Sequence, residues 1–492
     1  MSETLKAGTT SHTLAKGKLG TFDIVFFVVS AAAPLTVAAS SAPLAFLVGG
    51  VGAPGAMLAS GVVLILFAIG FTTMSRYVRN TGAFYAYAAA GLGKPIGVGI
   101  AFVTIVAYAF LCICFYALLG FYANLTAAHL LGIDLPWGVW ATVAVLAIGF
   151  LGYRRIDVGA KVLAVLLTAE VTILLTISIA VILQNGPAIA DATAASFDPR
   201  NVFLAGGASA LFVFGFGAFL GFEGTVIYAE EAKRPSRTVP RATYLAIAFL
   251  AIFYAFTFWA LTVAFGAEGV IELANSEDYE EMMFIAGSNA LGPWAAVVMQ
   301  ILIVTSFVAC TLAFHNACAR YLFSLGRERL LPAPLARTHP RMQSPHVASL
   351  TLTVVCLVAI VVSALAGADP FLGIGLWAYA IGTAGLVFAQ GVAAVSVIGF
   401  FRGDRRGHSV WTVLIAPILG AIGLLGAFAV IATHFDLVSG MTGPINGILL
   451  AIVPLVFAVG IGVGIVMRRR SPERYAALTQ SVRVVSSDEE TD

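Results

Sequence analysis

Charge is what this chain has least of. Asp, Glu, Lys and Arg make up 11% of its 492 residues, 60% are hydrophobic, and the net charge is only +2. So little polar surface cannot cover a water-soluble globule, and a mean hydropathy of +0.96 places the chain in a membrane. The near-zero balance gives no reason to invoke a nucleic-acid partner. Cysteine is also scarce. Cys112, Cys114, Cys310, Cys318 and Cys356 all fall inside apolar runs, which argues against a disulfide framework and makes packing their default role. Cys112-Ile-Cys114 has neither the spacing nor the partners of a metal site. No His-Glu-x-x-His is present, nor a Gly-x-Ser-x-Gly in an elbow context. Enzyme chemistry, a metal and a cofactor are therefore not expected. The first twenty residues are polar and lead straight into a full-length apolar run, so no cleavable signal peptide is expected.

What is there is length. Apolar stretches of about 20 residues, each enough to cross a bilayer, recur twelve times, at 22–48, 54–75, 97–130, 137–153, 158–184, 203–230, 241–266, 292–324, 347–367, 371–400, 411–434 and 444–467. Alternate loops share a charge sign. One set holds 26 of the 27 basic residues, the other only Arg200 and the acidic segment GAEGVIELANSEDYEEMM. The basic side is expected to be cytoplasmic, with both termini on it, and a wrong span count would have scrambled the alternation.

The chain is organised around FVFGFGAFLGFEGTVIYAEEAKRPSRTVPR, residues 212–241. Glycines interrupt this apolar run at Gly215, Gly217, Gly221 and Gly224, and Glu223 lies in its middle. Glycine weakens a helix by roughly 1 kcal/mol against alanine, and a charge at bilayer depth costs about 2.5 kcal/mol or more. The glycines can be packing notches. Together with a buried glutamate they point to a broken helix lining a midplane binding site, the device of secondary transporters.

Span 1 carries a matching weak point, Ala31-Ala32-Ala33-Pro34-Leu35-Thr36. An interior proline removes a backbone hydrogen bond, at roughly 3 kcal/mol, and either kinks or breaks the helix. Spans 1 and 6 are each the first of five, so paired interruptions predict an inverted repeat of spans 1–5 on 6–10. The longer loops Arg76–Lys94 and Gly266–Asn289 occupy corresponding positions on opposite sides.

Other polar groups at depth have two readings each. Tyr108, Cys112 and Tyr116 form one stripe of span 3, a packing ridge or a ligand wall. Glu170 in span 5 is either functional or a hydrogen-bonded, permanently protonated structural group. Thr305 and Ser306 in span 8 can coordinate sodium or bond back to their own helix. His315 beside Asn316 is a proton shuttle or a satisfied interior histidine.

These residues are similar to a known family. GFEGTVIYAEEAKRPSRTVPRA resembles the span-6 signature of the amino acid–polyamine–organocation transporter superfamily. NTGAFYAYAAAGLGKPIG resembles that family's Gly-x-x-Tyr-x-Tyr loop after span 2, and ARYLFSLGRERLLP its segment after span 8. The resemblance covers about residues 15–470. It implies an all-α membrane protein of twelve helices, a LeuT-type 5+5 inverted repeat with helices 1 and 6 broken. It also implies that substrate carboxylate and amine bind backbone groups at the breaks. Those would be Ala32, Ala33, Pro34, Leu35 and Thr36 in span 1, and Phe216, Gly217, Phe219, Leu220 and Gly221 in span 6. Glu223 matches a glutamate tied to proton coupling and gating, and Phe314 an aromatic that closes over the substrate side chain. Two departures stand out. The family's Gly-[Ser/Thr]-Gly at the first break is replaced by Pro34-Leu35-Thr36, which leaves fewer free amides. Some members carry a span-5 lysine in place of a sodium ion, whereas this chain has Glu170, which leaves open a cation-accepting site or a decarboxylated, amine-rich substrate.

The expectation is a permease for amino acids or related amines in the cell membrane, coupled to protons through Glu223 or Glu170. Spans 3, 8 and 10 would complete the pocket, with Tyr108, Cys112 and Phe314 as its side-chain contacts. Its partners would be a small amine-bearing solute, H+ and membrane lipid, with oligomeric state open. A polyamine exchanger, a sodium symporter of the same fold and a transporter-like nutrient sensor are the alternatives. A channel would show a filter motif or rings from symmetric subunits. By segment, 1–20 would be a polar lead, 21–200 and 201–402 the two repeats, 403–468 helices 11 and 12, and 469–492 a disordered cytoplasmic tail.

Overall fold

The computed structural model describes residues 19–79, 83–154, 160–227, 232–340, 342, 344–440, 443–478 and 483–484. Lys6, Lys16, Lys18, Asn80, Thr81, Gly82, Arg155, Asp157, Glu230, Glu231, Arg341 and the SSDEETD end lie outside these residues.

Among the described residues, eleven helices are long and apolar enough to cross a bilayer. They run Thr21–Gly49, Ala53–Met74, Lys94–Leu131, Trp137–Arg154, Ala164–Gln184, Pro235–Phe265, Pro293–Arg327, His346–Leu365, Ile374–Phe401, Trp411–Thr433 and Pro444–Arg470. The remaining span is in two pieces, Ala208–Gly217 and Gly224–Ile227, each too short to cross alone. Twelve crossing segments therefore fall in the expected order. Span 7 begins at Pro235 rather than 241, because proline in the first helical turn has its φ already set and forfeits only an orphan amide.

The two halves repeat one design. Their third helices are the long ones, 38 residues for span 3 and 35 for span 8. At 1.5 Å per residue these reach about 50–57 Å, far beyond a hydrocarbon core of ~30 Å. Both start the same way: a glycine of positive φ (Gly93, 104°; Gly292, 96°) and then a proline in the first two helical positions. Short helices occupy the preceding loop in each half, Ala83–Leu92 in the first, Ala267–Ala274 and Met282–Leu291 in the second.

Small residues bring the central helices close. Span 10 lies along span 3 and span 7 along span 2. A Cβ added at Gly382 would fall 2.6 Å from Leu111 Cγ, and one at Gly385 2.9 Å from Ala107 Cβ. Without hydrophobic drive between lipid-solvated helices, such close backbone packing is what holds them. Spans 3 and 10 are thereby fixed as a wall beside the broken helices.

Within the expected disordered tail from 469, the described residues 469–478 and 483–484 are ordered, and the rest lie outside the described residues. Pro472–Ala477 is helical, and Arg483–Val484 pairs antiparallel with Val78–Arg79. Lys94 Nζ donates to the carbonyls of Tyr475 and Ala476, each at 2.9 Å. Leu478 is buried among Tyr85, Val98, Ala101, Leu325 and Leu330. Polar composition suggested disorder, but Tyr475 and Leu478 are apolar enough to dock on the ends of spans 3 and 8. Beside them, the hydroxyl of Tyr85 donates to Glu328 just past span 8.

Candidate functional site

Span 1 breaks at a single residue. Thr21–Ala32 is helical, Ala33 turns left-handed (φ 47°, ψ 75°), and the helix restarts at Pro34. Pro34 is thus the first residue of a new helix rather than a kink inside an old one. Its missing N–H falls where an amide would be unpaired anyway. The strain moves to Ala33, since a left-handed residue with a Cβ costs roughly 1–2 kcal/mol. Neighbours hold the strained turn in place. Tyr254 donates its hydroxyl to Ala32 O (3.3 Å), and Leu35 N–H is bound by Glu170 (3.4 Å). Beyond the break the helix widens to a π-turn over Val37–Ser41 before Ala42–Gly49.

Span 6 opens over a longer stretch. Its helix ends at Gly217, and residues 218–223 make successive turns before Gly224. Gly221 has φ 104°, a conformation that excludes an ordinary side chain, and it faces Ala31 of span 1. The two breaks therefore lie side by side.

Each break is held by a buried carboxylate. Glu170 Oε2 accepts from the Leu35 amide and from Ser306 Oγ (2.9 Å), and Thr36 Oγ1 in turn donates to Ser306 (3.0 Å). Spans 1, 5 and 8 meet there. Glu223 Oε2 accepts from the Gly221 amide (3.0 Å), and its Oε1 from Tyr108 Oη (2.7 Å). Spans 3 and 6 meet there. Glu170 is 4% exposed and Glu223 3%. Among the described residues, the bonded partners of both are neutral donors, hydroxyls and amides.

Between the breaks lies a small cavity of about 40 Å³, room for a few water molecules. Of the expected residues, Ala32, Thr36, Gly217, Leu220 and Phe314 line it. Ala33, Pro34, Leu35, Phe216, Phe219 and Gly221 shape the breaks from behind. Tyr108 bonds Glu223 and packs its ring on Phe314 (5.8 Å between centroids). Cys112 is buried and does not reach the cavity. On span 3 the cavity meets Cys114, Phe115 and Leu118, a different face from the Tyr108–Cys112–Tyr116 stripe. Ser40 and Ser41 of span 1, Cys310 of span 8 and Tyr379 of span 10 were also missed. Nothing in their local sequence marks them out, apart from the placement of their spans.

The remaining candidates are satisfied elsewhere. His315 shares hydrogen bonds with Tyr116 Oη (3.1 Å) and Ser349 Oγ (3.0 Å), an interior histidine with both ring nitrogens engaged. Thr305 Oγ1 donates to Leu302 O of its own helix (2.9 Å). The five cysteines are free and buried.

Paired broken helices at the front of two five-helix repeats, with a cavity between them, define a LeuT-type transporter fold. A solved structure described as MhsT in complex with L-phenylalanine shares it, with a TM-score of 0.56, 15% identity and coverage of 82% of this chain and 98% of that one. The model of the family described as amino acid permease matches residues 23–475, and the chain belongs to that family. An uncharacterized transporter of Mycobacterium tuberculosis is 24% identical over 406 residues, 82% of this chain and 84% of the relative. The branched-chain amino acid permease BcaP of Bacillus subtilis is 23% identical over 371 residues, 70% of this chain and 74% of BcaP.

Proposed function

We propose that the protein is a secondary active transporter of small amine-bearing solutes, amino acids or related amines, working by alternating access in the cell membrane. Its basic face and both termini lie in the cytoplasm, as the loop charges favour. The observation that carries the reading is the pairing of each helix break with its own buried carboxylate, Glu170 at Leu35 and Glu223 at Gly221. Backbone opened at this depth is tolerated only beside protein or a polar cavity, and here it flanks the cavity that would take the solute.

Coupling is to protons. Loading a proton on Glu170 weakens a charge-assisted bond to Ser306 and loosens, without breaking, the hold of spans 5 and 8 on span 1. Loading one on Glu223 does the same between spans 6 and 3. Either event changes how tightly the broken helices are tethered, the element that alternating access must move. The names of BcaP and of the phenylalanine-bound neighbour support an amino acid as cargo.

Uptake of radiolabelled amino acids into proteoliposomes under an imposed pH gradient tests this. Accumulation that follows the proton gradient is expected. Uptake that ignores the gradient and requires sodium would assign coupling to the Thr36 and Ser306 hydroxyls instead.

A further inference from the structure

We propose that the cavity selects a neutral amino acid with an apolar side chain, seated against Cys114, Phe115 and Leu118 of span 3 and Cys310 of span 8. This rests on the reading of the cavity as the transport site. It narrows the solute from any amine to one class.

The wall chemistry carries the inference. Among the described residues, no Asp, Glu, Lys, Arg or His lines the cavity. Glu170 and Glu223 stand behind it, each already bonded to a break amide and a hydroxyl. The polar groups that do reach it form one strip, Thr36, Ser40 and Ser41, on the outer half of span 1, faced by Tyr379. All three hydroxyls already have partners, Thr36 Oγ1 on Ser306, Ser40 Oγ on Thr36 O (2.6 Å) and Ser41 with Tyr379, and an incoming head group would exchange for them. The strip and the nearby break backbone suit the head of an amino acid, whose charges cancel. The opposite side is aromatic, aliphatic and thiol. Phe314 is held there edge-on by Phe115 (5.0 Å, 70°) and packs against Tyr108; the cavity, with room for a few waters as it stands, must widen for an amino acid to seat against this wall.

A side-chain ammonium, guanidinium or carboxylate would enter this wall without a counter-charge. A diamine would bring two cations and no carboxylate. Cation–π contact with Phe115 or Phe314 recovers only part of what an ion loses on leaving water. Lysine, glutamate and putrescine should therefore be rejected, while leucine, valine and phenylalanine differ among themselves only by fit, within the range of added methylenes.

The test is competition for uptake of labelled L-leucine into proteoliposomes holding the full chain. The half-inhibiting concentrations of L-lysine, L-glutamate and putrescine are expected to exceed that of L-valine by about 100-fold. A gap under tenfold for any of the three overturns the proposal. Location is read separately by N-ethylmaleimide labelling and peptide mass mapping. Leucine should slow modification of Cys114 and Cys310, and lysine at the same concentration should not. Selective leucine transport that leaves both thiols unprotected places the subsite elsewhere and also overturns it. If no solute is taken up and none protects, the transport reading fails first, an outcome distinct from transport with the wrong selectivity.

Discussion

Replacing Glu170 with glutamine separates the charge of that side chain from its hydrogen bonding. The wild-type carboxylate accepts from Ser306 Oγ at 2.9 Å and from Leu35 N at 3.4 Å. Glutamine keeps an acceptor of the same shape, so both donors stay paired, but charge-assisted bonds of about 1.5–3 kcal/mol become ordinary ones of about 0.5–1.5. With the Leu35 bond already long, that loss sums to ~2 kcal/mol. Against it stands relief from a charge at bilayer depth, ~2.5 kcal/mol or more. The two nearly cancel, so Glu170→Gln should melt within a few degrees of wild type. Glu170→Ala removes the acceptor and strands two buried donors at about 1–3 kcal/mol each, and its melting temperature should fall clearly. The functional outcomes divide differently. In proteoliposomes Glu170→Gln should lose accumulation driven by a pH gradient yet keep exchange of internal for external substrate, because glutamine mimics the proton-loaded carboxyl, whose loosened tether still lets the broken helix move, but has no proton to release. Gradient-driven accumulation at the wild-type level in Glu170→Gln would refute the coupling role. A Glu170→Gln protein as unstable as Glu170→Ala would refute the bookkeeping of charge against hydrogen bonds.

Three further outcomes follow from the same geometry. Tyr108→Phe withdraws the donor 2.7 Å from Glu223 Oε1 and should destabilise by about 1–3 kcal/mol, read as a lower melting temperature and altered pH dependence of uptake. Gly217→Ala would place a Cβ 1.9 Å from Tyr379 Oη and 2.5 Å from its Cζ. Overpacking of about 1–3 kcal/mol or more should abolish uptake, and adding Tyr379→Phe should restore it only in part. Glu280, in the turn between spans 7 and 8, is held above its ordinary 4.5 by burial, with Asp369 and Glu281 adding to the effect and hydrogen bonds from its own backbone and Tyr279 opposing it. A raised native value gives stability that is fully present below the unfolded value and is lost as pH rises through the native one. Melting of wild type should therefore decline relative to Glu280→Gln as pH rises from the ordinary 4.5 through the raised native value, by less than ~1 kcal/mol because the group is half-exposed and screened.

The spans were legible because bilayer thickness sets a minimum apolar length and loop charge sets the alternation. The breaks were legible to within a residue or two, since Pro34 and the glycines around Gly217 and Gly221 are poor company for an interior helix. What sequence did not reveal was that Ala33, not Pro34, takes the strain: a left-handed alanine leaves no compositional mark. The span-3 wall was missed for a different reason. Tyr108, Cys112 and Tyr116 were chosen for their chemistry, but a helix buried all round has no polar face to set its phase. The residues at the cavity, Cys114, Phe115 and Leu118, read as ordinary core. The donors to Glu170 and Glu223 come from distant spans and become visible only once those spans are placed.

The carboxyl terminus has a practical bearing on how the molecule is handled. A reporter or affinity tag is commonly appended at that end on the assumption that nothing there matters. In this chain the stretch from Pro472 to Leu478 is seated under two of the longest helices, fastened by Lys94 and plugged by a leucine. A fusion joined there by a short connector would tug on the seated segment. A protease nick after Arg470 would then be seen as lost heat resistance, not as the shedding of an idle appendage.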